Sequence, residues 1–92
     1  MFKYQPIAEG TALQTVQSYD AMTGVSQPGD EQIVTKGYVV TILNHLHPIG
    51  VVFQTAICGK QWVAIDRYGH FWSSFGNTRE HAAQWLLKRA RA

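Results

Sequence analysis

Cysteine is nearly absent: Cys58 is the only one in 92 residues. A lone thiol excludes an internal disulfide framework and any C-x-x-C metal or redox motif, and it suits a reducing compartment. Charge is sparse too, with 15 % of residues Asp, Glu, Lys or Arg, against about a quarter in ordinary domains. No apolar run approaches the roughly 18 residues of a membrane span. Met1 to Gly10 is too short and too polar to read as a secretory signal, so the expected location is cytoplasmic. The eight glycines show no spacing of a phosphate-cradling loop.

What the chain does have is apolar mass. Hydrophobic residues make up 46 %, enough for one globular domain, residues 1–92, to form a core without covalent staples. All three tryptophans fall between Gln61 and Ala90 (QWVAIDRYGHFWSSFGNTREHAAQWLLKRA). Trp62 to Asp66 and His70 to Phe75 are rich in the aromatic and β-branched residues that strands favour. Between them Asp66-Arg67-Tyr68-Gly69 fits a type I turn, with Gly69 supplying the positive φ of a bulged hairpin loop. Pairing Asp66 with His70 sets Ile65 opposite Phe71 and Ala64 opposite Trp72. The pleat then puts Val63, Ile65 and Phe71 on one face, and Trp62, Ala64 and Trp72 on the other. Both faces are apolar, and one helix layer buries only one of them.

A helix follows the hairpin. Asn77 is placed to cap it, with Glu80 three residues on completing a capping-box-like start. Ala82, Ala83, Leu86, Leu87 and Ala90 fall in one stripe, which should pack on the sheet. Lys88, Arg89 and Arg91 crowd the last turn, where cations are favoured. Trp85 lies off the stripe, flanked by His81, Lys88 and Arg89. It is either a rim residue with a cation stacked on it or an exposed aromatic that contacts a partner.

Upstream, Met1 to Gly10 reads as extended, pinned by Phe2, Tyr4 and Ile7, with Pro6 arguing against a central strand. Thr11 and Gln14 form a capping-box pair, and Ala12, Leu13, Val16 and Tyr19 share one helical face; the spacing predicts a helix from Ala12 to Met22 closed by Gly24. Gly24 to Asp30 reads as a turn-rich connection. Glu31 to Thr35 and Gly37 to Leu43 read as strands, with Gly37 at a bulge or tight turn, and Gly50 to Ile57 as a central strand. The expected fold is therefore α+β: an antiparallel meander of three to four strands with an N-terminal helix and a C-terminal amphipathic helix packed on the sheet. The second apolar face would be covered by the N-terminal helix, a second subunit or a partner.

Catalytic and metal motifs are thin. His45-Leu46-His47 could point two imidazoles at one metal if it were a strand, but two histidines before a proline more often sit in a polar turn. Cys58 ends an apolar strand, a common setting for an inert buried thiol. Ser73 and Ser74 lack a G-x-S-x-G setting, and no separated carboxylate pair suggests glycoside hydrolysis. The sequence thus points to a protein that is not an enzyme and uses no cofactor or metal.

Charge is unevenly divided. Residues 1–46 sum to −2 and residues 47–92 to +4, a cationic half of the kind that attracts phosphates or acidic protein surfaces. One use of it would be single-strand nucleic-acid binding, with Trp62 and Trp72 as stacking platforms and Lys60, Arg67, Lys88, Arg89 and Arg91 on phosphates. The basic-glycine-aromatic signature of RNA-recognition motifs does not occur.

As an architecture over residues 37–91, WVAIDRYGHFWSSFGNT feeding TREHAAQWLLKRA resembles small phage and mobile-element proteins of anti-CRISPR type. That resemblance carries no residue roles. It implies a cytosolic, non-enzymatic inhibitor that occludes a protein or protein-RNA surveillance complex, through cations rather than by imitating phosphates, with RNA contact and with no membrane role. The expected partner-binding residues are Lys60, Arg67, Arg79, Lys88, Arg89 and Arg91, with Trp72 and Trp85 as aromatic anchors. Two further readings stand beside it: a small nucleic-acid-binding domain, and a homodimeric phage structural or accessory protein. The first predicts steeply salt-dependent RNA binding and the second a doubled mass in solution.

Overall fold

The structure is a computed structural model and describes residues 1–20, 25–57, 59–72 and 77–91, with the backbone alone over 16–20 and 25–30. Expectations placed on Met22, Gly24, Cys58, Ser73, Ser74, Phe75 and Gly76 lie outside the described residues. The chain is α+β. In order it runs β1 (Phe2–Ile7), β2 (Ala12–Asp20), β3 (Val25–Ile33), β4 (Lys36–Ile42), β5 (Gly50–Gln54), β6 (Val63–Asp66), β7 (Phe71–Trp72) and α1 (Arg79–Arg91). Five strands form one antiparallel sheet in the order β1-β4-β5-β6-β7, and β2-β3 form a separate ribbon.

The C-terminal half follows its local rules. Gly69 has φ +89°, and its N–H donates to the Asp66 carbonyl at 3.0 Å while the Asp66 N–H donates to the His70 carbonyl at 3.1 Å. Ala64 pairs with Trp72 and Ile65 with Phe71, the register expected from the turn. On one sheet face Val40, Val52, Trp62 and Ala64 pack with Ala82, Ala83, Leu86 and Leu87 of α1. Gly50 makes that approach possible: a Cβ there would lie 2.5 Å from the Ile65 carbonyl oxygen and 2.7 Å from Leu86 Cδ2. The helix cap differs from expectation by one residue. The His81 N–H donates to Thr78 Oγ1 at 3.2 Å, so Thr78 rather than Asn77 offers the first turn its side-chain oxygen.

The N-terminal helix expected from Ala12 is not present; Ala12–Asp20 is a strand. Its sequence satisfies two periods at once, because Leu13 belongs both to a 3.6-residue stripe and to an alternating set with Thr15. Alternation prevails: Ala12 and Gln14 are exposed, Leu13 half-buried and Thr15 buried. Neither half of the capping box forms. Thr11 Oγ1 instead donates to the Ala8 carbonyl at 2.6 Å, closing the β1–β2 turn, and the Gln14 amide reaches the Thr15 carbonyl. The stretch expected as a turn-rich connection is likewise strand from Val25, and it tolerates Pro28 because β3 pairs on one side only, across an irregular register near Val16 and Pro28.

The second sheet face is buried without a helix. Val34, Phe53, Val63 and Ile65 form its cluster, and Leu13, Val51 and Phe71 close around it. The ribbon is tied to the sheet at its base, where the Gly10 N–H donates to the Val34 carbonyl at 2.8 Å and the Val34 N–H to the Thr11 carbonyl at 2.9 Å. Gly37 fits there because a Cβ would meet Phe53 Cβ at 2.8 Å. Pro6 lies in β1, an edge strand, as its missing N–H requires. Strand β5 ends at Gln54, three residues before the expected Ile57. The Gln54 side-chain amide donates to the Lys60 carbonyl at 2.8 Å and closes the loop that follows.

Candidate functional site

Asp66 anchors the most organised polar cluster. As the first residue of its turn, it accepts the Tyr68 and His70 N–H groups on Oδ1 at 2.9 and 3.0 Å. Its side chain is only 4 % exposed, and Oδ2 lies 3.4 Å from His70 Nδ1 and 3.7 Å from Arg89 Nε. Among the described residues Oδ2 accepts no hydrogen bond, so the nearby guanidinium supplies the compensation that a buried carboxylate needs. Arg89 comes from the last turn of α1, where Ala90 and the buried Leu86 and Leu87 fix the helix against the sheet.

Arg89 also spans two indoles. Its guanidinium carbon lies 5.8 Å from the ring centres of both Trp72 and Trp85, and the two rings are 4.8 Å apart at 50°. Trp72 is 40 % exposed and Trp85 half-buried. Trp72 faces the helix side because Ala64, its register partner, packs against α1. The result is a solvent-facing aromatic pair with a cation across it, held in place from below by Asp66.

The other expected contact residues lie elsewhere. Arg79, at the start of α1, stacks over Tyr4 at 4.2 Å and Tyr38 at 4.8 Å. Burial pushes the Tyr4 hydroxyl above its ordinary value, against the downward pull of Arg79, while Glu80 adds a smaller upward push. Trp62, expected as an outer stacking platform, is only 8 % exposed and stacks on Tyr38 at 6.1 Å. It is a core residue because its pleat position faces the helix. Arg67 and Arg91 line a cleft beside the β4–β5 loop. Lys60 lies in the β5–β6 loop at the opposite end of the sheet, as the pairing of Phe53 with Val63 requires, and Lys88 is exposed on α1. Arg89, Trp72 and Trp85 therefore come together, with Arg67 beside Arg89 at a small pocket over Asp66, while Arg79 and Lys60 form separate sites.

Sequence reading missed the role of Asp66, although an aspartate opening a type I turn is itself a signal for the two N–H bonds it accepts. It also missed Tyr4 and Tyr38 as the seat of Arg79, which depends on β1 pairing with β4. Among the described residues no three His, Cys, Asp or Glu side chains converge as metal ligands, and no described helix is long and apolar enough to cross a membrane. Compared with protein-family models, with curated proteins and with solved structures, the chain matches none.

Proposed function

We propose that the protein is a non-enzymatic binder that occludes a surface of a protein-RNA complex, as an inhibitor of anti-CRISPR type would. The observation that carries this reading is the Trp72–Trp85 pair crossed by Arg89. Tryptophan and arginine are the residue types on which interface energy concentrates. Here the guanidinium is already placed by Asp66, so docking would lose little side-chain freedom. Lys88 and Arg91 add positive charge on the same helix, which favours an acidic or RNA-bearing partner and steers its approach. Occlusion requires no reacting group, only an ordered patch and bulk behind it.

The test is affinity capture from a bacterial lysate carrying a CRISPR-Cas surveillance complex, with and without nuclease, using the native chain and Trp72→Ala. The expected result is a multisubunit complex of fixed stoichiometry that survives nuclease and is lost with Trp72→Ala, while both proteins melt alike. Retention of that complex by the variant overturns the assignment of the patch. Recovery of nucleic acid alone, falling steeply with salt, replaces the reading with nucleic-acid binding. A doubled mass with nothing captured favours the homodimeric accessory protein.

A further inference from the structure

The turn after β4 brings two histidines next to two arginines that are far apart in sequence. Asn44 adopts φ +69° and the His45 N–H donates to the Ile42 carbonyl at 3.0 Å, so the loop folds back beside the last turn of α1 and the β6–β7 turn. The three segments wall a cleft of about 330 Å³, lined by His45, Leu46, His47, Arg67 and Arg91 over a base that includes the buried Ile49. We propose that this cleft is a phosphate-binding site, taking a phosphate monoester carried on a nucleoside-sized body.

Charge argues for an anion. Two guanidiniums and two imidazoles line the cleft, and among the described lining residues there is no acid. Asp66, the acidic side chain nearest to these residues in sequence, is engaged with the Tyr68 and His70 N–H groups and with Arg89. The end of α1 contributes roughly half a negative charge, which opposes an anion but is smaller than the charge of either arginine. The guanidinium fork suits phosphate oxygens because it offers paired N–H donors. Arg67 is also restrained, donating from Nη2 to the Tyr68 hydroxyl at 2.9 Å. Size and polarity argue for an organic phosphate rather than a bare ion. The cleft volume lies at the low end of the range for small-molecule sites, about 300–1,000 Å³. Leu46 is 92 % exposed, an apolar side chain available to a base or sugar.

The same phosphate could be borne by a free nucleotide or by the end of an RNA strand. The cleft contains neither Trp72, Trp85 nor Arg89, although Arg91 also adds to the charge of the docking face; Trp72→Ala tests docking and leaves the cleft intact. The proposal therefore stands or falls apart from the occlusion reading. Its test is amide NMR titration of the full chain at low salt with adenosine monophosphate, adenosine and inorganic phosphate, on the native protein and on Arg67→Ala/Arg91→Ala. The expected result is adenosine monophosphate binding with shifts at His45, His47, Arg67 and Arg91, tighter than inorganic phosphate. The double variant should weaken it about tenfold or more, and Arg67→Lys/Arg91→Lys, which keeps the charge and loses the fork, should fall between. Both arginines are exposed, and unchanged melting of the variants would show that the fold is kept. Short RNAs ending in phosphate or hydroxyl identify the source: a preference for the phosphate end assigns the RNA terminus, and no preference assigns the free nucleotide. Equal binding of adenosine, equal binding by the double variant, or no shifts at millimolar adenosine monophosphate overturns the site.

Discussion

Replacing Thr78 with alanine removes the acceptor of the His81 N–H and is expected to cost about 1 kcal/mol. Asn77→Ala should cost well under half of that, and urea midpoints of the two variants check the difference. Tyr4 gives a second prediction. Because burial raises the pKa of its hydroxyl in the folded chain, the folded state holds the proton more tightly than the unfolded one. Its contribution is complete below the ordinary tyrosine value and is lost as pH rises through the raised one, so Tyr4→Phe should flatten the fall in melting temperature above about pH 10. An unchanged slope would assign that fall to other groups. Both features show the limits of reading single residues: a cap is legible to within one position, but the burial of Tyr4 depends on a strand and a helix start that are remote in sequence.

Among the elements, α1 makes its close approach to the sheet at Gly50. Gly50→Ala should destabilise the protein by about 1–3 kcal/mol through overpacking, because the added methyl meets the Ile65 carbonyl and Leu86. Leu86→Ala, which opens a cavity in the native chain, should cost less in that background than on its own, and a denaturation cycle over both positions measures the coupling. Local determinants explain why the β6–β7 hairpin and α1 were legible: Asp66, Gly69 and the Ala82–Leu86 stripe act within a few residues of themselves. Strand β2 was not legible for the opposite reason. Leu13 fits either period, and Thr15 reads as polar until alternation buries it.

For the whole molecule, the decisive arrangement is that β1 pairs with β4 around the β2–β3 ribbon. No stretch of sequence announces this, since the pairing of Phe2 with Ile42 spans the whole β2–β3 ribbon and has no local signal. Replacing residues 13–32 with a short Gly-Ser turn should preserve β1–β4 pairing but remove Leu13 from the cluster of Val34, Phe53, Val63 and Ile65. Exposed apolar patches of this kind promote association, so light scattering should report a mass above that of the shortened chain. A mass equal to the chain would mean that the second face needs no cover. The candidate sites follow the same rule. The cationic character of the C-terminal half was legible from composition. Its division into a tryptophan patch, a tyrosine seat and a cleft of two histidines and two arginines was not, because it depends on which loops the sheet order brings to each end of α1.

The differing environments of the three indoles have a practical consequence. Trp62 is sealed against Tyr38 and should emit as a constant, blue-shifted background, whereas Trp72 and Trp85 share Arg89 at the solvent boundary. Anything that covers their rings should shift the emission of the pair, and a quencher dissolved in the buffer should reach them before it reaches Trp62. The unlabelled protein thus carries its own optical report of whether that side of the helix is occupied, while a ligand confined to the Arg67–Arg91 cleft should leave the light unchanged.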